Sequence, residues 1–318
     1  MVVMDPAVIV VNPAAGRGRA GARLARIQSW VRRWAPEVPV WVTEGPGHAS
    51  ELTQLAPPDA RVVAVGGDGT AHEVVRALGP QQVLGLVPIG SGNDVARMAG
   101  LHRMGLERAL STALWGGVVR FDRGRVGDEA FASSATAGLD ASVARRAFEA
   151  PRFLRGLPRY LWALAAELRY LQLPEVRIEV DGAEVYSGPL LLGAVMNSAT
   201  YGGGFPIAPM ARPDDGRLEL IWAGRFGRAG VLGILPRLML GRHLSHAQIG
   251  HRGGVHVRAV FDRAVPLQSD GEVLAPSEVF EVTVEPAALP IAADPGAREG
   301  LRERRERVPV SPVPEPTA

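Results

Sequence analysis

The sequence contains no cysteine and no lysine, and all 35 of its Lys-plus-Arg positions are arginine. The absence of cysteine excludes disulfide bonds and thiolate metal sites. The absence of lysine excludes a lysine Schiff base, a lysine general base and a Walker-type phosphate loop. No apolar run reaches the roughly 20 residues of a membrane span, and residues 1–11 lack the basic segment and cleavage site of a signal peptide. We therefore expect a cytoplasmic protein.

The sequence also lacks an excess of positive or negative charge, because the formal net charge is only +2. Such a balance does not favour a strongly anionic partner, and we expect no nucleic-acid partner. The chain has 318 residues, of which 47% are apolar and 21% charged. This composition is typical of a globular protein, and the length favours two domains.

The N-terminal third alternates short apolar strands with amphipathic helices. Strands are predicted at 8–11, 38–43, 62–65 and 83–87, and each is followed by a stretch with helical spacing. Continuous apolar strands alternating with helices indicate a mainly parallel sheet covered on both faces. We therefore predict an α/β domain over residues 1–122.

The remainder has a different pattern. Alternating segments with few helices between them predict a mostly antiparallel β domain over residues 123–290, with a hairpin turn at Asp181-Gly182. Two helical stretches interrupt it, at 151–173 and 228–243. Residues 291–318 are rich in Pro, Arg and Glu without an apolar period, so we predict a disordered tail.

Three of the four predicted N-terminal strands end in turns rich in glycine. We call them the first glycine turn ("NPAAGRG", 12–18), the second ("GGDGT", 66–70) and the third ("PIGSGND", 88–94). Each turn alone is ordinary strand-to-helix punctuation. Ligands of open parallel sheets bind beyond the carboxyl ends of the strands, and glycine lets backbone amides approach a phosphate. Together the three turns predict one polyphosphate-binding rim, referred to below as the rim.

These turns, with "YGGGFPIAPMARPDDGRLEL" (201–220) and "SDGE" (269–272), resemble the diacylglycerol kinase catalytic domain family, which includes bacterial lipid kinases and sphingosine kinases. The resemblance runs through about residues 7 to 285 in order. It implies an α/β nucleotide domain and a β-sandwich-like lipid or acceptor domain, with the active site in the cleft between them. It also implies ATP and Mg²⁺ as cofactors, since phosphoryl transfer requires charge neutralisation and positioning.

By the same resemblance, one set of residues would bind the nucleotide or shape its loops. The set is Asn12, Gly16, Thr43, Gly66, Gly67, Asp68, Gly69, Thr70, His72, Glu73, Gly90, Ser91, Asn93 and Asp94. Asp68 is also implied in catalysis. A carboxylate among phosphate-binding amides fits only if it holds magnesium or orients the loop. The alternative is that Asp68 caps the following helix. The family usually has asparagine where this chain has His72.

The acidic turn, residues 269–272, would supply the general base of the reaction. The resemblance matches Glu272 to the proton acceptor, and Asp270 is the close rival. Without the resemblance, Asp-Gly is simply a common turn.

A second acidic segment, "RPDDGRL" (212–218), resembles a loop that binds a structural magnesium ion. The resemblance implies Asp215 as the side-chain ligand and the carbonyls of Arg212 and Arg217 as the others. A plain type I turn is about equally compatible with these residues.

The acceptor is implied to be a lipid hydroxyl, most simply that of diacylglycerol. Segments 153–173 and 231–243 mix aromatic and aliphatic residues with arginine, so they could lie at the inner face of the membrane or pack on the β domain. Two alternatives remain: a kinase of a soluble acceptor such as NAD or a polyol, and a non-catalytic nucleotide- or lipid-binding protein. The sequence does not fix the oligomeric state, and a homodimer is one option.

Overall fold

The computed structural model describes residues 6–151, 153–154 and 157–294. Its N-terminal part contains a parallel sheet of short, almost wholly apolar strands. The strands are β1 (Ala7–Val11), β2 (Val40–Val42), β3 (Arg61–Gly66) and β4 (Val83–Pro88). β1 lies between β2 and β3, and β4 lies on the other side of β3. Their carboxyl ends therefore meet at one edge, as predicted.

Helices cover both faces of this sheet. They are α1 (Arg19–Trp34), α2 (His48–Leu55), α3 (Asp68–Ala77), α4 (Asp94–Met98) and α5 (Leu106–Trp115). α1 and α5 pack against one set of alternating strand residues, which includes Ile9 and Val63. α2, α3 and α4 pack against the other set, which includes Val10 and Val62. Because successive strand residues point to opposite faces, both sets are buried.

The C-terminal part is mostly antiparallel, which confirms the predicted fold class. Its strands are β5 (Gly117–Val126), β6 (Glu129–Phe131), β7 (Ser134–Gly138), β8 (Glu175–Val180), β9 (Ala183–Pro189), β10 (Leu192–Met196), β11 (Leu218–Ala223), β12 (Ile249–Gly254), β13 (His256–Ser269) and β14 (Glu272–Ala293). The predicted hairpin joins β8 to β9 through Asp181 and Gly182, which have φ angles of 52° and 80°. Left-handed φ at both positions fits a tight hairpin turn.

Three helices accompany these strands: α6 (Leu139–Ala147), α7 (Leu157–Arg169) and α8 (Arg228–Met239). α7 and α8 lie within the predicted helical stretches, whereas α6 was not predicted. α7 and α8 bury one face each in a shared apolar cluster that includes Leu164, Leu168, Val231 and Ile234. None of the helices among the described residues is long and apolar enough to cross a membrane.

β14 connects the two parts, since its C-terminal end returns to the parallel sheet. There Ile291 pairs with Leu84 of β4, and β5 runs antiparallel to β14 along most of its length. The described residues therefore form one sheet of 14 strands. Two predicted boundaries differ from this structure. β5 crosses the predicted boundary between residues 122 and 123, and residues 291–293 are a buried strand end rather than part of a tail. Residues 295–318, the rest of the predicted tail, lie outside the described residues.

Candidate active site

A side-chain hydrogen bond joins the first and second glycine turns. Asn12 directly follows β1, and its Nδ2 donates to Oγ1 of Thr70 at 3.0 Å. Its Oδ1 accepts the amide of Ala14 at 3.0 Å, which closes the start of the first turn. A Cβ at Gly66 would lie 2.3 Å from Thr70 Oγ1, so this position requires glycine. The predicted residues of both turns therefore form one connected unit.

The third glycine turn is held against this unit by Arg19 and by a close contact between two glycines. Arg19 donates from Nη2 to the carbonyl of Ile89 at 2.8 Å and from Nε to the carbonyl of Gly16 at 2.9 Å. A Cβ on Gly90 would lie 2.6 Å from the Cα of Gly67. The structure thus brings the three turns together into the predicted rim. The motif search missed Arg19, because an arginine in a basic amphipathic helix carries no distinguishing signal.

Asp68 holds the third glycine turn. Its Oδ2 accepts the amide of Asn93 at 2.8 Å, and its Oδ1 accepts the amide of Asp94. The N-cap of α3 is Gly67, without a side-chain cap hydrogen bond, and Asp68 is the acidic residue of the first turn. Asp68 therefore forms no capping bond, although its charge lies where the helix dipole favours it. Burial raises the pKa of Asp68, the two amides lower it in part, and the negative charge of Asp270 raises it. The structure therefore supports loop orientation as the role of Asp68.

Other predicted rim residues lie at the same edge. Asn93 has a left-handed φ of 53°, and its Nδ2 donates to the carbonyl of Gly90 at 2.9 Å, so it shapes the third turn. Ser91 is exposed within that turn, and Thr43 is buried just after β2. Contact of these residues with a nucleotide stays a prediction.

His72 and Glu73 have other partners. The carboxylate of Glu73 accepts the amides of Gly47 at 2.9 Å and Ala49 at 3.0 Å, which anchors the start of α2. His72 is buried, and its Nδ1 lies 3.6 Å from Oδ2 of Asp270. These contacts join α3 to α2 and to the acidic turn. The structure therefore does not support the predicted nucleotide contact of either side chain.

Asp270 in the acidic turn is buried and surrounded by backbone donors. Its carboxylate accepts the amides of Ala132 at 2.7 Å, Ser133 at 2.8 Å and Ser134 at 3.0 Å. Its side chain is only 3% exposed. A carboxylate with three amide donors and almost no exposure fits poorly as the proton acceptor of a bound substrate.

Glu272, two residues later, has the opposite environment. It is exposed at the start of β14. Its Oε1 lies 3.3 Å from the position that a Cβ on Gly69 would occupy, so the carboxylate directly adjoins the second glycine turn. Of the two predicted bases, the structure favours Glu272, because this carboxylate is exposed and adjoins the second glycine turn.

Asp94, at the end of the third glycine turn, is joined by hydrogen bonds to Gly203 in the C-terminal part. The amide of Gly203 donates to both oxygens of Asp94, at 3.0 and 3.1 Å, and its carbonyl accepts Arg97 Nη2 at 3.3 Å. Gly203 lies between two further glycines, and all three have positive φ. Burial and the charge of Asp68 raise the pKa of Asp94 to about 6, against the amide and Arg97, which lower it. The sequence had marked "YGGG" as part of the resemblance without a role.

Asp140, at the start of α6, is a further acidic residue that the sequence analysis missed. Its Oδ2 accepts hydrogen bonds from Gln268 Nε2 at 2.9 Å and from the Tyr201 hydroxyl at 3.3 Å. Desolvation raises the pKa of Asp140 to about 6, although its hydrogen bonds from Ala141, Tyr201 and Gln268 lower it in part. Asp140 has no motif of its own, because its polar neighbours come from β13 and from residues near 201.

Asp215 lies in a loop organised around another buried acid, Asp122. Asp122 accepts the amides of Gly216 at 2.7 Å and Ala287 at 2.8 Å, while Asp215 Oδ1 accepts the amide of Arg217 at 3.0 Å. Burial and the charges of Asp122 and Asp214 raise the pKa of Asp215. Within the described ranges, no group of three or more His, Asp or Glu side chains is arranged to hold a metal. The predicted set of Asp215 with the carbonyls of Arg212 and Arg217 needs only one side-chain ligand, so it stays a prediction.

Comparison with known protein families agrees with this geometry. Residues 6–126 match the diacylglycerol kinase catalytic domain, and residues 133–293 match the YegS C-terminal NAD kinase beta sandwich-like domain. The join between the two matches, residues 127–132, ends at Ala132, one of the amide donors to Asp270.

Individual relatives lead to the same family. The chain is 31% identical to the diacylglycerol kinase of Mycobacterium tuberculosis over 72% of this chain and 75% of the relative. It is 27% identical to the diacylglycerol kinase of Bacillus subtilis over 85% and 90%. The crystal structure of a diacylglycerol kinase from Bacillus anthracis str. Sterne superposes with a TM-score of 0.71 at 19% identity, covering 93% of this chain and 100% of that one.

The chain belongs to the diacylglycerol kinase family of lipid kinases. It is therefore a phosphotransferase with an alcohol group as acceptor. Membership of a kinase family implies ATP as the phosphoryl donor.

Proposed function

We propose that this protein transfers the γ-phosphoryl group of ATP to the hydroxyl of diacylglycerol, giving phosphatidic acid. The observation that carries the proposal is the position of Glu272. Its carboxylate is exposed and adjoins Gly69 in a turn suited to phosphate, so an acceptor hydroxyl could reach both. The names of the relatives supply the choice of diacylglycerol.

The chemistry follows from the positions of the donors and the base. Backbone amides of the rim bind the phosphates of ATP and fix the γ-phosphorus. The acceptor oxygen forms a bond to that phosphorus while the bond to the β-phosphate oxygen breaks, and ADP leaves. The Glu272 carboxylate takes the hydroxyl proton as the new bond forms. Since the transition state of phosphoryl transfer is loose, positioning contributes more than base strength.

Magnesium is proposed as the ion that accompanies ATP. Bound there, it would neutralise phosphate charge. Asp68 is a poor direct ligand, because both of its oxygens already accept backbone amides. These two contacts support orientation of the third glycine turn as the role of Asp68. Asp215 is a better candidate than Asp68 for binding a separate Mg²⁺ ion, because the nearby charges of Asp122 and Asp214 make its surroundings negative.

We further propose that α7 and α8 present the acceptor domain to the surface of an anionic bilayer. Their outer faces and the preceding segment expose Phe148, Phe153, Tyr160, Leu161, Tyr170, Leu232, Met239 and Leu240. Arginines lie among them: the Arg159 guanidinium lies 5.2 Å from the Phe148 ring centroid, and that of Arg169 lies 5.7 Å from Tyr170. Aromatic rings at headgroup depth with arginine beside anionic phosphates are typical of interfacial binding.

The activity is tested with labelled ATP and a panel of lipids in detergent micelles, with NAD as a soluble control acceptor. We expect labelled phosphatidic acid from diacylglycerol and none from NAD. Labelled NADP in place of a phospholipid would favour a kinase of a soluble acceptor. The C-terminal match, which is to an NAD kinase beta sandwich-like domain, is the reason for this control. ATP binding without transfer to any acceptor would favour a non-catalytic protein.

The membrane proposal is tested by sedimentation with vesicles of phosphatidylglycerol and phosphatidylcholine. Phe153→Ser with Tyr170→Ser should weaken binding to the anionic vesicles. The matched control is Trp34→Ser, an exposed aromatic on α1 in the N-terminal part. Equal binding by both variants would contradict the proposed surface.

A further inference from the structure

His72 forms a buried contact between the two parts of the molecule. It lies in the first half of α3, four residues after Asp68, and its side chain is 4% exposed. Its Nδ1 lies 3.6 Å from Oδ2 of Asp270, whose side chain is 3% exposed. The distance is longer than a hydrogen bond, and His72 Nδ1 has no hydrogen-bond partner among the described residues. The contact with Asp270 is therefore a close charge contact between two buried side chains.

A tight turn links the position of Asp270 to that of Glu272. Asp270 has a φ of 47° and the following Gly271 a φ of 90°, so the turn is tight and places Glu272 one residue beyond. The Asp270 carboxylate is also tied to three amides at 132–134. Any displacement of the Asp270 side chain would therefore shift the backbone that carries Glu272, which adjoins Gly69 in the second glycine turn.

α3 and the acidic turn are joined by two contacts, one between His72 and Asp270 and one between Gly69 and Glu272. Gly69 is three residues before His72, so α3 presents the second glycine turn at its start and the Asp270 contact one turn later. The acidic turn presents Asp270 to His72 and Glu272 to Gly69. Two contacts, separated by about one helical turn on one side and two residues on the other, fix the relative position of phosphate loop and base.

We propose that His72 is a positioning residue that holds the Glu272 carboxylate over the second glycine turn through its contact with Asp270. This inference rests on the proposed function, in which Glu272 is the base. His72 itself does not touch the reacting atoms. A base must lie within hydrogen-bond reach of the acceptor hydroxyl, and small displacements of such groups lower the rate steeply.

The surroundings of His72 make the contact depend on pH. Elements packed against α3 carry several charged groups: Asp270 and Glu272 in the acidic turn, Glu129 on β6, Asp94 and Arg97 on α4, and His48 and Glu51 on α2. Burial lowers the pKa of His72, but the close contact with Asp270 and the charges of Asp270, Glu272 and Glu129 outweigh it and raise that pKa above its ordinary value of 6.5. A raised folded pKa means that the charged contact is complete at low pH and is lost as pH rises through that pKa.

The test compares three proteins in single-turnover phosphoryl transfer from about pH 6 to about pH 10. His72→Asn keeps a donor close to the position of Nδ1 but carries no charge at any pH. We expect its transfer rate near neutral pH to stay within about 3-fold of wild type. In wild type, deprotonation of His72 should lower the transfer rate at alkaline pH. This part of the alkaline loss should be absent in His72→Asn. His72→Leu keeps bulk without a donor and should lose about 10- to 100-fold in transfer with unchanged ATP affinity.

The matched control is His256→Asn. His256 also pairs with a carboxylate, Glu281 at 2.7 Å, but at the opposite end of β13 from the acidic turn. Its pH profile should equal that of wild type. Wild-type rates and an unchanged alkaline limb in both His72 variants would overturn the proposal.

A second measurement separates this inference from the proposed function and does not require turnover. The chain has seven histidines, and ¹³C labelling of their rings with His72→Asn as reference assigns the His72 signal. Asp270→Asn should lower the pKa of that signal. If it leaves the pKa unchanged, the contact is not formed and the inference fails, even if lipid is phosphorylated. If no lipid is phosphorylated but the pKa falls, the proposed function fails and the contact between α3 and the acidic turn stands.

Discussion

The rim and the acidic turn each contain a carboxylate that accepts hydrogen bonds from backbone amides and so holds a neighbouring segment in place. In the rim, Asp68 accepts two amides of the third glycine turn. In the acidic turn, Asp270 accepts three amides of residues 132–134. The two sites differ in the groups that they present to a ligand. The rim presents glycine amides, which are suited to bind phosphate. The acidic turn presents one exposed carboxylate, Glu272, which is suited to accept a proton.

This difference shows how a motif with two acids can be divided by its environment. Asp270 and Glu272 are two residues apart in sequence and both match a catalytic pattern. Burial with three donors fixes one as a structural anion, since an unpaired buried charge is costly. Exposure leaves the other for chemistry. The sequence alone could not separate them, because the amide donors of Asp270 lie more than a hundred residues earlier in the chain.

The largest expected effect concerns β14, which connects the two regions. A chain ending after Pro290 should lose about 3 to 5 kcal/mol of unfolding free energy. It would lack Ile291 and two alanines that are almost fully buried, together with their ladder hydrogen bonds. The control ends after Asp294 and should stay within about 1 kcal/mol of the full chain. Urea denaturation of both measures this. Equal stability of the two truncations would mean that the end of β14 does not support the parallel sheet.

The next effect compares the two structural carboxylates directly. Asp270→Asn should cost about 2 to 4 kcal/mol of unfolding free energy and Asp68→Asn about 0.5 to 1.5 kcal/mol, since each variant places an amide NH₂ group against a backbone N–H donor. The loss at Asp68 is smaller because burial raises the pKa of its carboxyl group, so the folded state already disfavours the charge that the variant removes. Asp68→Asn should also lose most of its turnover with ATP, because the third glycine turn is no longer held. Thermal unfolding at neutral pH, without nucleotide, gives the ranking. Unchanged stability in either variant would remove the anchoring role of that residue.

A smaller effect of opposite sign is expected at Asp94. Its folded pKa is raised from 3.8 to about 6, so the folded state binds the proton more tightly than the unfolded chain. Wild-type stability should therefore fall as pH rises from about 4 to about 6, by up to about 3 kcal/mol. Asp94→Asn keeps an acceptor for Gly203 and should lack this fall, so it should be more stable than wild type at pH 7 and equal to it near pH 4. Guanidinium unfolding across this range, in chelator, provides the check; a variant less stable than wild type at pH 7 would contradict the assignment.

Much of the fold could be predicted from local sequence. Apolar strands ending in glycine turns gave four parallel strands whose carboxyl ends share an edge, and Asp181-Gly182 gave the hairpin between β8 and β9. These features depend on periodicity and turn chemistry within about 15 residues. The rim could be predicted for the same reason, since three strand ends at one edge must lie close together.

The parts that could not be predicted depend on distant contacts. The return of Ile291 to β4 is not visible locally, because residues 286–293 read as a proline-containing exit from the β domain. The helix α6 has only nine residues, and three of its five apolar positions are alanine. His72 and Glu73 lie in the segment that resembles the family's nucleotide loop, and only Glu73 fits the family's pattern. Their side chains contact Asp270 and the start of α2. Side-chain partners of this kind follow from the tertiary structure and not from spacing.

The central claim is that Glu272 acts on the acceptor hydroxyl while Asp270 only holds the turn. The most direct measurement is single-turnover transfer at saturating ATP and diacylglycerol for Glu272→Gln, with ATP affinity and thermal stability measured separately. The account predicts a loss of about 10²- to 10⁴-fold in transfer, with ATP affinity and stability equal to wild type, since an exposed carboxylate is replaced by an amide of the same shape. Wild-type transfer in Glu272→Gln, with a selective loss of transfer and no loss of stability in Asp270→Asn, would contradict it and identify Asp270 as the base.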